Sequence, residues 1–354
     1  MRILVGQISS YKSIVVCRYI KTNYPDVDIL TYDYKPFTKY LRTKYSDIHF
    51  IIPEENKVSH LAELVSSQSV DIFIPVMSNE IELLLENRKM FGLSLAYLGD
   101  IESYKKLHYK NLFMETAESL NVKVPVRFNS INEAVIPFII KPVNSSSASG
   151  VQYIFTENDR LKLNMNPSSD GFIAQEYIEG FGAGYSVFCR NGNILTGYGH
   201  KRLAEFPVTG GSSVYRTAFQ NEGMVNIAKK IISSLNWSGF CMFEFKITKD
   251  REAVLIEANP RIWGSINQGL MNGVNYFEPL LGSASIYTTK QRKYNTYLSP
   301  LIYLAMIKYM FKGKLSLVKN FLIDMNKKAD VSIFDDFKGY TNLIAKKIKI
   351  IFWK

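Results

Sequence analysis

The octet Val254-Leu255-Ile256-Glu257-Ala258-Asn259-Pro260-Arg261 is the part of this chain most suited to chemistry. Side chains alternate along a strand, so Glu257 and Asn259 project to one face. A carboxylate beside an amide oxygen is a hard-oxygen pair of the kind Mg²⁺ prefers. If the preceding strand pairs with this one across the polar turn Lys249-Asp250-Arg251, Glu244 falls roughly opposite Glu257, with Cβ atoms about 5 Å apart. Three such donors can hold one or two divalent ions against a polyphosphate. Arg261, just past the strand end, can meet a transferring phosphoryl group. The plainer reading is a half-buried hairpin whose polar residues face solvent.

Two further stretches fit a nucleotide. Phe138-Ile139-Ile140-Lys141-Pro142 puts a lysine at the end of an apolar strand, where it can reach an α-phosphate. The small-residue stretch Asn144–Gly150 follows, and its backbone N–H groups can close over the β- and γ-phosphates. It also reads as an ordinary serine-rich loop. Ile173-Ala174-Gln175-Glu176-Tyr177-Ile178-Glu179-Gly180 reads as a strand entering a turn. It can offer backbone groups to an adenine edge and apolar side chains to its face, or be a plain edge strand.

These residues need elements to hold them. Over residues 1–100, the short apolar runs Arg2–Gly6, Asp28–Tyr32, His49–Pro53 and Asp71–Val76 alternate with the helical stretches Ser13–Tyr24 and Lys57–Ser67. That alternation predicts a parallel α/β sheet. No G-x-G-x-x-G turn is present, which argues against a dinucleotide there. Residues 103–120 predict one helix, with Phe113, Ala117 and Leu120 on one side. Strands are expected at 138–141, 151–155, 172–177, 185–190, 240–248 and 253–258. A Gly-rich turn is expected at Gly180–Gly184 and a helix at 222–235.

Taken in order, Lys110, Lys141, the serine-rich loop, Gln175–Ile178, Glu244 and Glu257-x-Asn259-x-Arg261 resemble the ATP-grasp superfamily over roughly residues 70–285. The likeness is closest to its carbamoyl-phosphate-synthase-like and carboxylate–amine ligase branch. His200-Lys201-Arg202, followed by Pro207-Val208-Thr209-Gly210-Gly211 and Arg216, is similar to an H-K-R…P-x-x-G-G motif of that branch. The resemblance implies an α/β (α+β) ATP-grasp fold. A Rossmann-like domain would span 1–100, a lid subdomain 101–180, a subdomain with the metal site 181–285, and a basic helical extension 286–354. ATP would be clamped between the two subdomains.

The resemblance also implies roles. Lys110 and Lys141 would contact the phosphates, with Ser145, Ser146, Ser147 and Gly150 closing over them. Gln175, Glu176, Tyr177 and Ile178 would form the adenine hinge. Glu244, Glu257 and Asn259 would hold Mg²⁺, or Mn²⁺ in its place, as two ions. Arg261, Lys201 and Arg216 would serve the reacting phosphoryl group, and Arg202, His200 and Ser265 would face the substrate. Where many members carry an acid for the ribose hydroxyls, this chain has Gly182-Ala183-Gly184, with Glu179 the nearest alternative. The implied reaction joins a small-molecule carboxylate to an amine through an acyl phosphate, releasing ADP and phosphate. The alternative on the same scaffold is a phosphotransferase or other acyl-phosphate enzyme, such as one modifying a surface glycan.

Composition bounds the rest. With 354 residues, 47% apolar and 21% charged, the chain is long enough for two or three packed domains. Cys17, Cys189 and Cys241 lie far apart and predict buried thiols rather than a metal or disulfide framework. No apolar run reaches membrane-spanning length and the first strand is too short for a signal-peptide core, so a cytoplasmic location is expected. The net charge of +11 is concentrated in residues 286–354, which hold 14 Lys or Arg against 4 Asp. That argues against a chain-wide nucleic-acid surface. It leaves two readings of the extension: a helical cap with a solvated lysine face, or peripheral contact with anionic lipid at the inner face of the membrane.

Overall fold

The computed structural model describes residues 1–142, 150–163, 171–208, 210–282 and 293–352. The predicted Ser145, Ser146 and Ser147 lie outside the described residues.

The first unit runs β1 (Arg2–Val5), α1 (Tyr11–Asn23), β2 (Asp28–Asp33), β3 (Ile48–Ile51), α2 (Lys57–Ser67), β4 (Ile72–Ile74) and α3 (Ser78–Glu86). Its strands form a parallel sheet, as the alternation predicted, and their order is β3-β2-β1-β4. Successive residues of β1 enter different cores. Leu4 joins one, while Ile3 and Val5 join the other, so the strand is covered on both faces.

The predicted helix over 103–120 is two helices, α4 (Ile101–His108) and α5 (Lys110–Ser119). The Asp100 carboxylate accepts from the Ser103 N–H and caps α4. Tyr109 between the helices is extended, and its hydroxyl donates to Glu82, which anchors the break. The break places Lys110 in the first turn of a new helix. Tyr104, Leu107, Phe113 and Ala117 pack into the core shared with the first unit, so these helices belong to the body rather than to the lid.

The lid is the antiparallel sheet of β5 (Arg127–Phe128), β6 (Phe138–Pro142), β7 (Gln152–Ile154) and β8 (Phe172–Glu176), with α6 (Glu157–Leu161), in the order β5-β8-β6-β7. Its core is small and separate, built on Ala134, Phe138, Ile140, Ile154 and Ala174.

The largest sheet runs through β9 (Phe181–Arg190), β10 (Asn193–Phe206), β11 (Ser212–Ala218), β12 (Gly239–Ile247) and β13 (Ala253–Asn259), with α7 (Glu222–Ser234) against it. The chain continues through α8 (Ile266–Met271), α9 (Glu278–Leu281), β14 (Asn295–Tyr297), α10 (Leu301–Phe311), α11 (Leu315–Ile323), β15 (Lys327–Ala329) and α12 (Phe337–Phe352). The strand order is β13-β12-β9-β10-β11-β14-β15. Residues 286–354 are thus no separate helical extension, because two of their strands extend this sheet. The glycines of 180–184 are no simple turn either, since Gly182 and Gly184 lie inside β9. A Cβ on Gly184 would collide with the His200 ring, and one on Gly182 would stand 2.9 Å from Arg202 Cδ. Glycine here makes room for the side chains of β10.

Candidate active site

β12 and β13 pair antiparallel with Glu244 directly opposite Glu257, as the strand pattern predicted. Asn259 lies on the same face, its Nδ2 donating to Glu244 Oε1 at 3.4 Å and Glu257 Oε1 at 3.2 Å. The pairing continues to Gly184 on β9 and from there to His200 on β10, so one row of the sheet forms the site's floor. Arg202 stands over that floor, paired with Glu244 and, at 3.5 Å, with Glu205. Burial and the neighbouring Glu257 push the Glu244 carboxyl up, against the pull of Arg202. Two crowded carboxylates and an amide suit a hard cation, provided Asn259 turns its amide oxygen inward. Among the described residues no three His, Cys, Asp or Glu side chains cluster at metal-ligand spacing. The donor set is two carboxylates and an amide, completed by whatever oxygen ligand binds beside them.

Two lysines converge on this row from different units. Lys110 is buried at the start of α5, its Nζ donating to the Pro142 carbonyl at 3.2 Å. Lys141 is buried at the end of β6, and burial pulls its ammonium down to about 8, with Glu257 opposing the fall and Lys110 adding to it. Burial lowers Lys110 as well. Two depressed ammonium groups side by side mark a place built for an anion.

Arg261 is fixed by three bonds. Its Nε donates to Ser78 Oγ at 2.9 Å, Nη1 to the Ile262 carbonyl at 3.0 Å and Nη2 to Asn259 Oδ1 at 2.9 Å. Among the described residues two of its five N–H groups make no bond and remain for a ligand. Ser78, with His108, Lys110, Phe113, Glu257 and Asn259, lines a cavity of about 30 Å³. Neither Ser78 nor His108 was expected from sequence, because each comes from a helix that no motif marks. Lys246, also unexpected, stands beside the site, where Glu205 and Arg202 act on its charge and its Nζ donates to the Gly180 carbonyl at 3.2 Å. It follows Glu244 by two positions on the same strand face, which was a usable signal. A larger groove of about 550 Å³ runs between Asn121–Lys123, the start of α7 and Arg251–Ala253, away from these residues, and carries the exposed Lys123–Glu252 pair.

At the lid, Gln175 is fully buried, and neither its amide oxygen nor its nitrogen has a partner among the described residues. Orphaned polar atoms of this kind fit a site that a polar ligand completes. The N–H groups of Glu176 and Tyr177 are engaged by the Val126 and Pro137 carbonyls. The Glu176 carboxylate accepts from the Val126 N–H at 3.2 Å, so this side chain braces the lid. Tyr177 packs its ring against Tyr153 and Phe155, and Ile178 follows half-buried. Gly150, at φ 77, returns the chain across from Pro142, where a Cβ would approach the ring to 2.8 Å. Tyr153 of the lid closes against Gly210 of the body, so the motif glycine lets the two units touch.

Three expected site residues are placed elsewhere, and a fourth, His200, lies in the floor without facing a substrate. Lys201 alternates away from the floor, its Nζ 3.9 Å from the centroid of the Phe181 ring, on the side occupied by Ala183 and Phe245. Arg216 is fully buried and its guanidinium is engaged by Asp330, Thr296 Oγ1 and the Ser213 carbonyl. It ties β11 to β14 and the chain beyond β15 rather than facing a phosphate. Ser265 is buried with its hydroxyl on Met242 Sδ at 3.6 Å. His200 is buried on Gly184, and burial with Arg202 and Arg216 holds it well below the usual histidine range, so it packs the floor as a neutral ring. No carboxylate stands at Gly182-Ala183-Gly184, while Glu179 is exposed just before β9.

Residues 103–265 match the family model of the ATP-grasp domain. This stretch is an ATP-grasp domain. Two D-alanine--D-alanine ligases, from Wolbachia pipientis wMel and from Wolbachia sp. subsp. Drosophila simulans (strain wRi), are each 30% identical over 105 residues. That is 26% of this chain, and it spans 32% of the relatives' own length. An L-amino acid ligase from Bacillus licheniformis superposes with a TM-score of 0.56 at 14% identity, covering 77% of this chain and 68% of that one. The N5-carboxyaminoimidazole ribonucleotide synthetase of Thermotoga maritima gives 0.58 at 14%, covering 80% and 76%. The biotin carboxylase domain of Hydrogenobacter thermophilus 2-oxoglutarate carboxylase, solved with MgADP, ADP and bicarbonate, gives 0.59 at 13%, covering 78% and 67%. These likenesses show the ATP-grasp fold.

Proposed function

We propose that this protein is an ATP-dependent carboxylate–amine ligase that forms an amide or peptide bond through an acyl phosphate, with ADP and phosphate as products. The observation that carries the reading is the convergence of Glu244, Glu257 and Asn259 with the buried Lys110 and Lys141 and the anchored Arg261. A substrate carboxylate oxygen attacks the γ-phosphorus as the bond to the bridging oxygen breaks and ADP leaves. An amine nitrogen then attacks the acyl carbon, the carbon–oxygen bond to phosphate breaks, and phosphate leaves as the amine gives its proton to solvent.

Phosphoryl transfer of this kind asks a protein mainly for position and charge. Lys110 and Lys141 neutralise the phosphates, and binding restores their ordinary basicity. Arg261, held by Ser78 and the Ile262 carbonyl, presents its free N–H groups to the transferring oxygens. Gln175 completes its hydrogen bonds against the base, and the Ile178 N–H, which makes no bond among the described residues, meets the adenine edge. Mg²⁺ bound by Glu244, Glu257 and Asn259 would offset the charge on the β- and γ-phosphates. Three similar proteins are named ligases of amino acids, which supports an amino acid as one joined partner.

The test is to incubate the protein with Mg-ATP and pools of carboxylic acids and amines, and to follow ADP, phosphate and products by mass spectrometry. Phosphate release that requires both partners is expected. A stable phosphorylated product would instead assign the phosphotransferase alternative.

A further inference from the structure

The hairpin of α10 and α11 carries a surface that the ligase reading does not use. α10 turns Ile302, Ala305 and Met306 into the core it shares with β10 and β11. A surface helix ordinarily shows polar residues on its other side. Here that side presents Tyr303, Leu304, Ile307, Met310 and Phe311, the last 83% exposed. α11 repeats the pattern: Phe321 points inward, while Leu315, Leu322 and Ile323 are 61–67% exposed. Leu304, Ile307 and Phe311 follow helical spacing and make a continuous apolar stripe on α10, and on α11 Leu315 and Leu322 lie two turns apart on one side with Lys319 between them.

The charges around the stripe have one sign. Lys308, Lys312, Lys314 and Lys319 are exposed, and residues 301–323 contain no carboxylate. The next acid, Asp324, is engaged by Tyr215 and Asn295. We propose that this hairpin docks the protein on an anionic lipid bilayer, with the apolar stripe in the headgroup–acyl boundary and the lysines at the level of the lipid phosphates. An apolar face flanked by cations and free of acids complements that surface. A symmetric pairing with a second copy would set lysine against lysine. Among the described residues no helix is long and apolar enough to cross a membrane. α10, at about 16 Å, reaches only half of a bilayer core, so it lies in the interface.

The hairpin abuts the active site. The Glu205 N–H donates to the Tyr309 hydroxyl on α10 at 3.1 Å, and the Glu205 carboxylate pairs with Arg202, which holds Glu244. Docking through α10 therefore sets the reaction site beside the membrane plane. The inference does not rest on ligase activity, because binding to lipid is measured without turnover.

The experiment is flotation of the full chain with phosphatidylcholine vesicles, with and without one-third phosphatidylglycerol, at low and high salt. Recovery with the anionic vesicles only, weakened by salt, is expected. Lys312→Glu with Lys314→Glu should weaken partitioning at least about 25-fold, near fivefold per lysine removed. Phe311→Ser with Leu315→Ser should weaken it as well, and both pairs should melt at the wild-type temperature because these side chains touch no core. Three results would overturn the proposal: no recovery with anionic vesicles, equal recovery with neutral ones, or recovery that both variant pairs leave unchanged. A concentration-dependent dimer that Phe311→Ser dissolves, without vesicle binding, would assign the face to self-association instead.

Discussion

Glu257 faces Glu244 across a strand pair, and both lean on the Asn259 amide. Glu257→Ala removes one of two carboxylates from that cluster, so turnover should fall by at least about 100-fold. Paramagnetic titration of Mn²⁺ with ADP should show weakened metal binding in parallel, and an unchanged kcat would refute the assignment. Lys141 is poised differently. Its folded-state value of about 8 lies below the 10.5 of a free lysine, so the unfolded chain holds the proton more tightly. The ligand-free protein should therefore gain stability as pH rises from about 8 to 10.5. Lys141→Met should raise urea-unfolding stability at pH 7 by about 3 kcal/mol, the equivalent of that displacement, while abolishing nucleotide binding. Wild-type ATP affinity, followed by calorimetry, should decline between pH 7 and pH 9, and Lys141→Arg should flatten that decline. The metal row was legible in sequence because alternation and hairpin pairing are local properties. Lys201 was misread against the same rule, since adjacent strand residues cannot both face the floor with Arg202. Arg216 was beyond any local rule, because its counterion Asp330 lies 114 residues away.

Elements show a subtler kind of legibility. β1, β2 and β4 and their parallel pairing were readable, because a strand buried on both faces is rich in apolar residues and alternates with helices. The Gly180–Gly184 stretch was not, since glycine marks either a turn or a missing side chain, and only the partner strand decides which. Gly184→Ala should test this directly. Its new Cβ would press on the His200 ring inside a packed sheet, and the cost should be about 1–3 kcal/mol, read as a lowered Tm. A neutral result would mean that the ring can move and that the floor is not rigid. The division of residues 103–120 into α4 and α5 was equally hidden, because Tyr109 is held extended by Glu82, a partner on another helix.

At the scale of the whole molecule, the lid and the body differ in how they are held. Among the described residues the lid has five buried core residues of its own, whereas the body runs through two cores that join the first sheet to the last. Amide exchange should accordingly be faster in β6 and β8 than in β9 and β12, and a bound non-hydrolysable ATP analogue should slow the lid preferentially. Equal protection in both units would contradict this. The buried Arg216–Asp330 pair fastens the last strands to the sheet, and Asp330→Ala strands a guanidinium without its anion. Chemical denaturation should show a loss of about 3–5 kcal/mol. The same stretch reaches further. Thr43 bonds to Asp336, Tyr45 donates to Asp335 at 2.6 Å, and Tyr340 and Leu343 cover the core beneath α1. Thr43 and Asp336 are 293 residues apart. At ribosomal speeds of 5–20 residues per second, the first sheet therefore waits on the order of 15–60 s for residues that complete its outer face. Its apolar flank is exposed to chaperones throughout that interval, and premature termination near residue 330 would leave it bare.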